Sequence, residues 1–175
     1  MSRKDTYYFA PLEEEHRGRK VLIWIVILLA AAVLLLMLMI FFFSAQNGDE
    51  SHELSGMIVE SLIRLLFPTA EQMPADSLPI LTEQLEFFIR KLGHFSEYAT
   101  LGFFSVLMFE SYGCLHFRPF GWGLATLYAG TDELHQMFSG GRSPLLTDVL
   151  LDSCGAGFGL ALACLLLHLL FRHSR

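Results

Sequence analysis

From residue 21 to residue 43 the apolar positions run without a polar interruption, and this stretch governs the reading of everything after it. A hydrocarbon core about 30 Å thick needs roughly 20 helical residues to cross it, so the segment is predicted to span a membrane. A cleavable signal has an apolar region of roughly 7–15 residues before a small-residue cut site; this stretch is longer and reads as an uncleaved anchor. Leu54, Ile58, Leu62, Leu65 and Leu66 then recur at helical spacing among Ser51, Glu53 and Glu60. That pattern predicts an amphipathic helix ending before Pro68, lying along the membrane surface or capping a bundle. Pro68, Pro74 and Pro79 read as a break. Three further helical segments follow at about 88–110, 119–138 and 148–171, with Gly113 and Pro119 marking one turn and a Gly/Pro-rich turn near 139–147 marking the next. The expected fold is all-α: an integral membrane bundle of four transmembrane helices plus a short extracytoplasmic amphipathic helix.

Composition agrees with that pattern. In a chain of 175 residues, 53% hydrophobic residues and a mean hydropathy of +0.47 exceed what a soluble core of this size would hold, and the length suits one domain. The net charge of −6 says less than the placement of the basic residues. Arg3, Lys4, Arg17, Arg19 and Lys20 precede the first span and Arg172 and Arg175 follow the last, whereas residues 44–86 are acidic with Arg64 as the exception. Lys and Arg mark the cytoplasmic side, so residues 1–20 and 172–175 are expected to be cytoplasmic tails around a membrane domain at 21–171. No basic patch suggests nucleic acid. Cys114, Cys154 and Cys164 are odd in number, two of them in an apolar run, and do not form a disulfide framework.

On this topology the polar residues converge. Lys91, His94 and Glu97 open the second span, Asp132, Glu133 and Gln136 close the third, and Arg142, Asp148 and Asp152 fall in the turn before the fourth span and at its start, all near the outer face. Spacings of three and four place Lys91, His94 and Tyr98 on one helix face, Asp132 or Glu133 with Gln136 on another, and Asp148 with Asp152 on a third. Ionised groups inside a bilayer cost about 2.5–3.5 kcal/mol on insertion scales, so they pair or line a cavity. Lys91 and Arg142 are expected to pair with the carboxylates, and Asp148 alone reads equally well as a helix N-cap. Gly155 and Gly159 form a small-xxx-small pair that permits close approach of a neighbouring helix. Ser44, Gln46 and Asp152 rank second; His52, His116, His135 and His168 are left outside the site.

The runs Arg90-Lys91-Leu92-Gly93-His94-Phe95-Ser96-Glu97-Tyr98, Thr131-Asp132-Glu133-Leu134-His135-Gln136-Met137-Phe138 and Gly141-Arg142-Ser143, followed by Asp148, resemble the VanZ-like membrane proteins. The resemblance extends over roughly residues 43–170. It implies a four-helix membrane domain, associated in some bacterial members with low-level resistance to the lipoglycopeptide teicoplanin. Asp152 stands where some relatives carry Asn, so no Asn-dependent role is carried over. One functional expectation is an outward-facing site, with Lys91, Arg142 and His94 binding an anionic or amphiphilic envelope molecule such as a membrane lipid, a lipid-linked wall precursor or a lipoglycopeptide. The alternative is an intramembrane enzyme using His94, Glu97 or Glu133 as acid or base on a lipid-linked substrate. A third reading makes the cluster an ion-pair network that locks three helix ends together. Neither a metal nor a cofactor is expected, because Lys91 and Arg142 already supply countercharge.

Overall fold

The computed structural model describes residues 5–45, 48–68, 74, 77–111, 117–139 and 145–172, with side chains placed in these ranges except at 5–16, 48–54 and 139. The described residues form five helices and no strand: α1 (Asp5–Ser44), α2 (Gly48–Leu66), α3 (Ser77–Glu110), α4 (Arg118–Ser139) and α5 (Leu146–Phe171). Two of them contain segments long and apolar enough to cross a membrane, Arg17–Ser44 and Leu146–Phe171. The other two segments expected to span, in α3 and α4, fall short on composition because each carries its share of the polar cluster.

α3 is the hub, packing most extensively on α5, then on α4, α1 and α2. Neighbour pairs give the helix directions. Gly155 and Gly159 of α5 lie against the backbone of Phe95 and Ala99 on α3, so these two helices run parallel. Tyr98 faces Tyr128 while Phe109 faces Phe120, which makes α3 and α4 antiparallel. The Trp122 indole donates to the Ser153 carbonyl at 3.1 Å, and Glu133 accepts from the Leu145 amide at the other end of the same pair, so α4 and α5 are antiparallel as well. α1 runs alongside α4, held by the Tyr128 hydroxyl on the Met37 carbonyl at 2.5 Å and by the Phe41 ring against His135. Directions therefore alternate through α1, α3, α4 and α5, and the core of Val33, Ile40, Tyr98, Leu101, Ala125, Ala129 and Ala156 fills the space between them.

The seam between α3 and α5 is built from small residues, as the Gly155 and Gly159 spacing predicts. A Cβ on Gly155 would meet the Phe95 carbonyl, and one on Gly159 would meet Ala99 and Phe103 backbone atoms. Gly102 reciprocates from α3, where an added Cβ would lie 2.5 Å from the Ala156 carbonyl oxygen. Across the molecule, Gly121 of α4 is pressed in the same way on Val106.

Three expectations change. Pro79 does not break a helix: it lies in the first turn of α3, where its missing N–H would have had no helical partner. α3 consequently begins at Ser77 and runs about 50 Å at 1.5 Å per residue. The buried stripe of α2 is Ser55, Val59 and Ile63, packed on Leu78, Leu85 and Ile89 of α3. Ile58, Leu65 and Leu66 of the expected stripe are exposed, Leu62 is half-buried, and the side chain of Leu54 lies outside those described. The apolar arc is wide, and α3 covers only its trailing half. The third change concerns Asp148, described with the site.

At the opposite end from the polar cluster, Arg118 grips Glu110 with two hydrogen bonds of 2.7 and 2.8 Å. This fork joins the end of α3 to the start of α4 and was not anticipated from spacing. α1 meets the bundle only through its later turns: among its described side chains, 17–25 are all exposed, and partial cover begins at 26.

Candidate functional site

The first half of α3, the last turns of α4 and the first turns of α5 meet at one end of the bundle, and they bring most of the expected residues together. Half-buried groups form a rim. Lys91 donates to Asp148 at 2.6 Å, joining α3 to α5, and the Lys91 ammonium also lies over the Phe87 ring. His94 Nδ1 is 4.0 Å from Glu97 Oε2 one turn along α3.

Beneath the rim lies a buried floor. Asp132 is 3% exposed, Asp152 4% and Tyr98 0%. Asp132 accepts from the Gln136 amide at 3.2 Å through Oδ2, a bond within α4 that the i, i+4 spacing allows. Its Oδ1 and the Oδ1 of Asp152 are left without a close partner, and the Tyr98 hydroxyl lies beside Asp132. Asp132 interacts electrostatically with Glu97, Tyr98 and Asp152, and Asp152 also feels Asp148, Glu133 and Glu97. Five carboxylates thus share one site with Lys91. Buried polar atoms in folded proteins almost always find partners, and leaving one unpaired costs about 1–3 kcal/mol.

Glu133 serves a different purpose. Its Oε1 accepts from the Leu145 backbone amide at 2.7 Å, so a side chain of α4 satisfies a donor at the start of α5. Asp148 is not the N-cap that its sequence position allowed. Leu145 occupies that place in extended backbone conformation with no side-chain cap, and Asp148 sits in the first turn, where its carboxylate turns to Lys91 instead.

Asp152, ranked second from sequence, belongs to the floor. Tyr98, placed on the shared face of α3 by its spacing from Lys91 and His94, is the residue whose importance the sequence understated. Ser44, another second-rank position, is buried at the same end of the bundle, with its hydroxyl making no hydrogen bond. His135 is stacked on Phe41 at 4.3 Å between ring centroids and has a packing role, not merely a solvated one. Arg142, Gln46 and Cys114 lie outside the described residues. Among the described residues no group of three His, Cys, Asp or Glu side chains is placed to hold a metal ion.

The arrangement can be set beside known proteins. A family model described as VanZ/LLP1 matches residues 29–168, most of the chain and all of the site. The chain belongs to the VanZ/LLP1 family. No curated protein and no solved structure matches it significantly. Family membership and the two long apolar helices together identify a membrane protein. The matched region of this VanZ/LLP1 chain takes in the later part of α1, all of α2, α3 and α4, and α5 as far as His168, so every element that builds the rim and the floor lies within it.

Proposed function

We propose that this VanZ/LLP1 chain is a multi-pass protein of the bacterial cytoplasmic membrane in which α1, α3, α4 and α5 span the bilayer, both termini are cytoplasmic, and the polar site faces outward to recognise or modify a cell-envelope amphiphile. The alternating helix directions support four crossings, and the basic residues before α1 and after α5 support the orientation. Exposed leucines and phenylalanines along α1 and α5 suit lipid contact.

One observation carries the reading of a binding site: a buried acceptor oxygen on each of Asp132 and Asp152 has no close partner. A lattice of ion pairs that merely fastened helix ends together would close its own hydrogen bonds. Lys91–Asp148 and Glu133–Leu145 do so and fill that structural role; Asp132 Oδ1 and Asp152 Oδ1 are left over.

The resemblance to teicoplanin-resistance proteins makes a lipoglycopeptide or a lipid-linked wall precursor the first ligand to try. Teicoplanin susceptibility is compared in bacteria expressing wild type, Asp132→Asn or Arg142→Ala at matched membrane levels, with vancomycin as the less lipophilic control. Protection by wild type against teicoplanin, lost by at least fourfold in both variants, is the expected result. A wild type without protection removes the resistance role from this member.

A second reading rests on His94 beside Glu97 at 4.0 Å, an acid–base pair at the mouth of the site for an enzyme acting on a lipid-linked substrate. Turnover of such a substrate, abolished by His94→Ala, is its signature; binding without turnover rejects it.

A further inference from the structure

From the cavity between α2 and α3 and the charge of the segment that builds it, we infer that this VanZ/LLP1 chain docks a basic amphipathic helix of another polypeptide. The inference rests on the proposed topology and adds an interaction surface apart from the polar site.

α2 pairs with the start of α3 as an antiparallel hairpin. Gly56 stands beside Glu86, where an added Cβ would come within 3.4 Å of a carboxylate oxygen, and seven residues later Ile63 shares a cavity wall with Leu78. In the proposed topology α1 leaves the bilayer near Ser44, α2 rises outward for about 28 Å at 1.5 Å per residue, and the first turns of α3 return beside it. Met57, Ile58, Leu65, Leu66 and Ile80 are exposed on this upright hairpin, Leu65 by 75% and Leu66 by 63%. On α1 and α5 such side chains suit lipid. Here they meet water, and grouped apolar surface in water marks an interaction site.

The hairpin holds a cavity of about 380 Å³ whose apolar wall is Gly56, Ile63, Phe67, Pro68 and Leu78. The polar groups at its margin are engaged: Thr82 donates to the Leu78 carbonyl at 2.9 Å, and Arg64 donates to Glu60 at 2.5 Å. The interior therefore favours apolar side chains. A trough between two antiparallel helices is a seat for a third, whose apolar residues at i, i+3 or i+4 and i+7 drop into it. Charge selects the occupant. Residues 44–86 carry eight acidic residues against Arg64. Glu60 stands on the cavity margin, and Glu86 lies by Gly56 at the end nearer the membrane. The Glu60–Arg64 bridge is largely exposed and spans i, i+4, a weak kind of pair, so Glu60 can exchange Arg64 for a partner's cation. A helix flanked by Lys and Arg complements this field. An anionic bilayer surface, or a second and equally acidic hairpin, is repelled by it.

Full-length protein is placed in phosphatidylcholine nanodiscs, and binding of fluorescent synthetic peptides is followed by anisotropy, with empty nanodiscs as the baseline. The peptides are an amphipathic helix of leucines and lysines, the same pattern with glutamates in place of lysines, and a scrambled leucine–lysine sequence. The expected result is at least tenfold tighter binding of the basic amphipathic helix than of the other two, weakening as salt is raised. Gly56→Leu fills the cavity and favours the helix, because the added Cβ meets an ordinary contact and leucine is the better helix former. It should lower affinity at least tenfold while unfolding no earlier than wild type, and the surface change Glu60→Lys should weaken binding by a similar factor. Equal binding of acidic and basic helices, binding no greater than to empty nanodiscs, or full affinity in Gly56→Leu overturns the inference. So does a concentration-dependent dimer in place of peptide binding, which makes the face a contact between copies. The topology fails separately. If Met57→Cys is labelled by an impermeant maleimide only after cells are permeabilised, the orientation is wrong, and peptide binding in nanodiscs, open on both faces, still decides the docking. A Met57→Cys unreactive under both conditions puts the hairpin in lipid and overturns the inference.

Discussion

Individual carboxylates in this site have separable duties, and substitution should separate them. Glu133→Ala removes the acceptor for the Leu145 amide and is expected to lower stability by about 1.5–3 kcal/mol, measured by chemical unfolding in micelles. Glu133→Gln retains a carbonyl acceptor and should lose less than half as much. Lys91→Met and Asp148→Asn each strand a half-buried partner, whereas the double substitution should cost less than the sum of the two, a coupling that a double-mutant cycle reads directly. The residues of the cluster were legible from sequence because charges inside apolar runs stand out. Their roles were less legible. Asp148 and Glu133 look interchangeable on paper, and only the position of Leu145 at the head of α5 makes one a bridge and the other a cap from outside its own helix. Tyr98 was visible as a face-mate of His94 but carries no charge to mark it, so its burial among carboxylates could not be read from spacing alone.

At the level of helices, close approach decides what each position tolerates. Gly159→Ala drives a methyl into the backbone of Ala99 and Phe103, and about 1–3 kcal/mol of destabilisation is expected from such overpacking. Gly93→Ala is the matched control, since nothing lies within 4 Å of a Cβ there, and the better helix propensity of alanine should leave stability unchanged or raise it by up to about 1 kcal/mol. Helix unfolding monitored by circular dichroism distinguishes the two. Element types followed from the apolar pattern; boundaries and rotation did not. Pro79 reads as a breaker unless it is known to fall in a first turn, and it hid the leading turns of α3. α2 has apolar residues over too broad an arc for its phase to be fixed from sequence, so which half meets α3 depended on the presence of Leu78, Leu85 and Ile89 on that extension.

For the whole molecule the proposed topology makes a sidedness prediction. In a background with the native cysteines replaced, Met57→Cys should react with a membrane-impermeant maleimide in intact cells, whereas Gly18→Cys should react only after permeabilisation; the opposite pattern would invert the orientation. Helix number and the meeting of α3, α4 and α5 at one end were legible from charge placement, because isolated polar residues in lipid are costly and therefore gather. The Glu110–Arg118 fork was not, since its partners are separated by a turn whose path the sequence does not specify. The glycine seam has a mechanical corollary. Where two backbones touch there are no intervening side chains to flex, so α3 and α5 behave as a single girder. Any change of spacing at the polar end then comes from tilt of α4, which carries Asp132 while Asp152 rides on the girder. In the proposed topology, the gap between those two carboxylates is thereby coupled to the lateral pressure that lipid exerts on one helix.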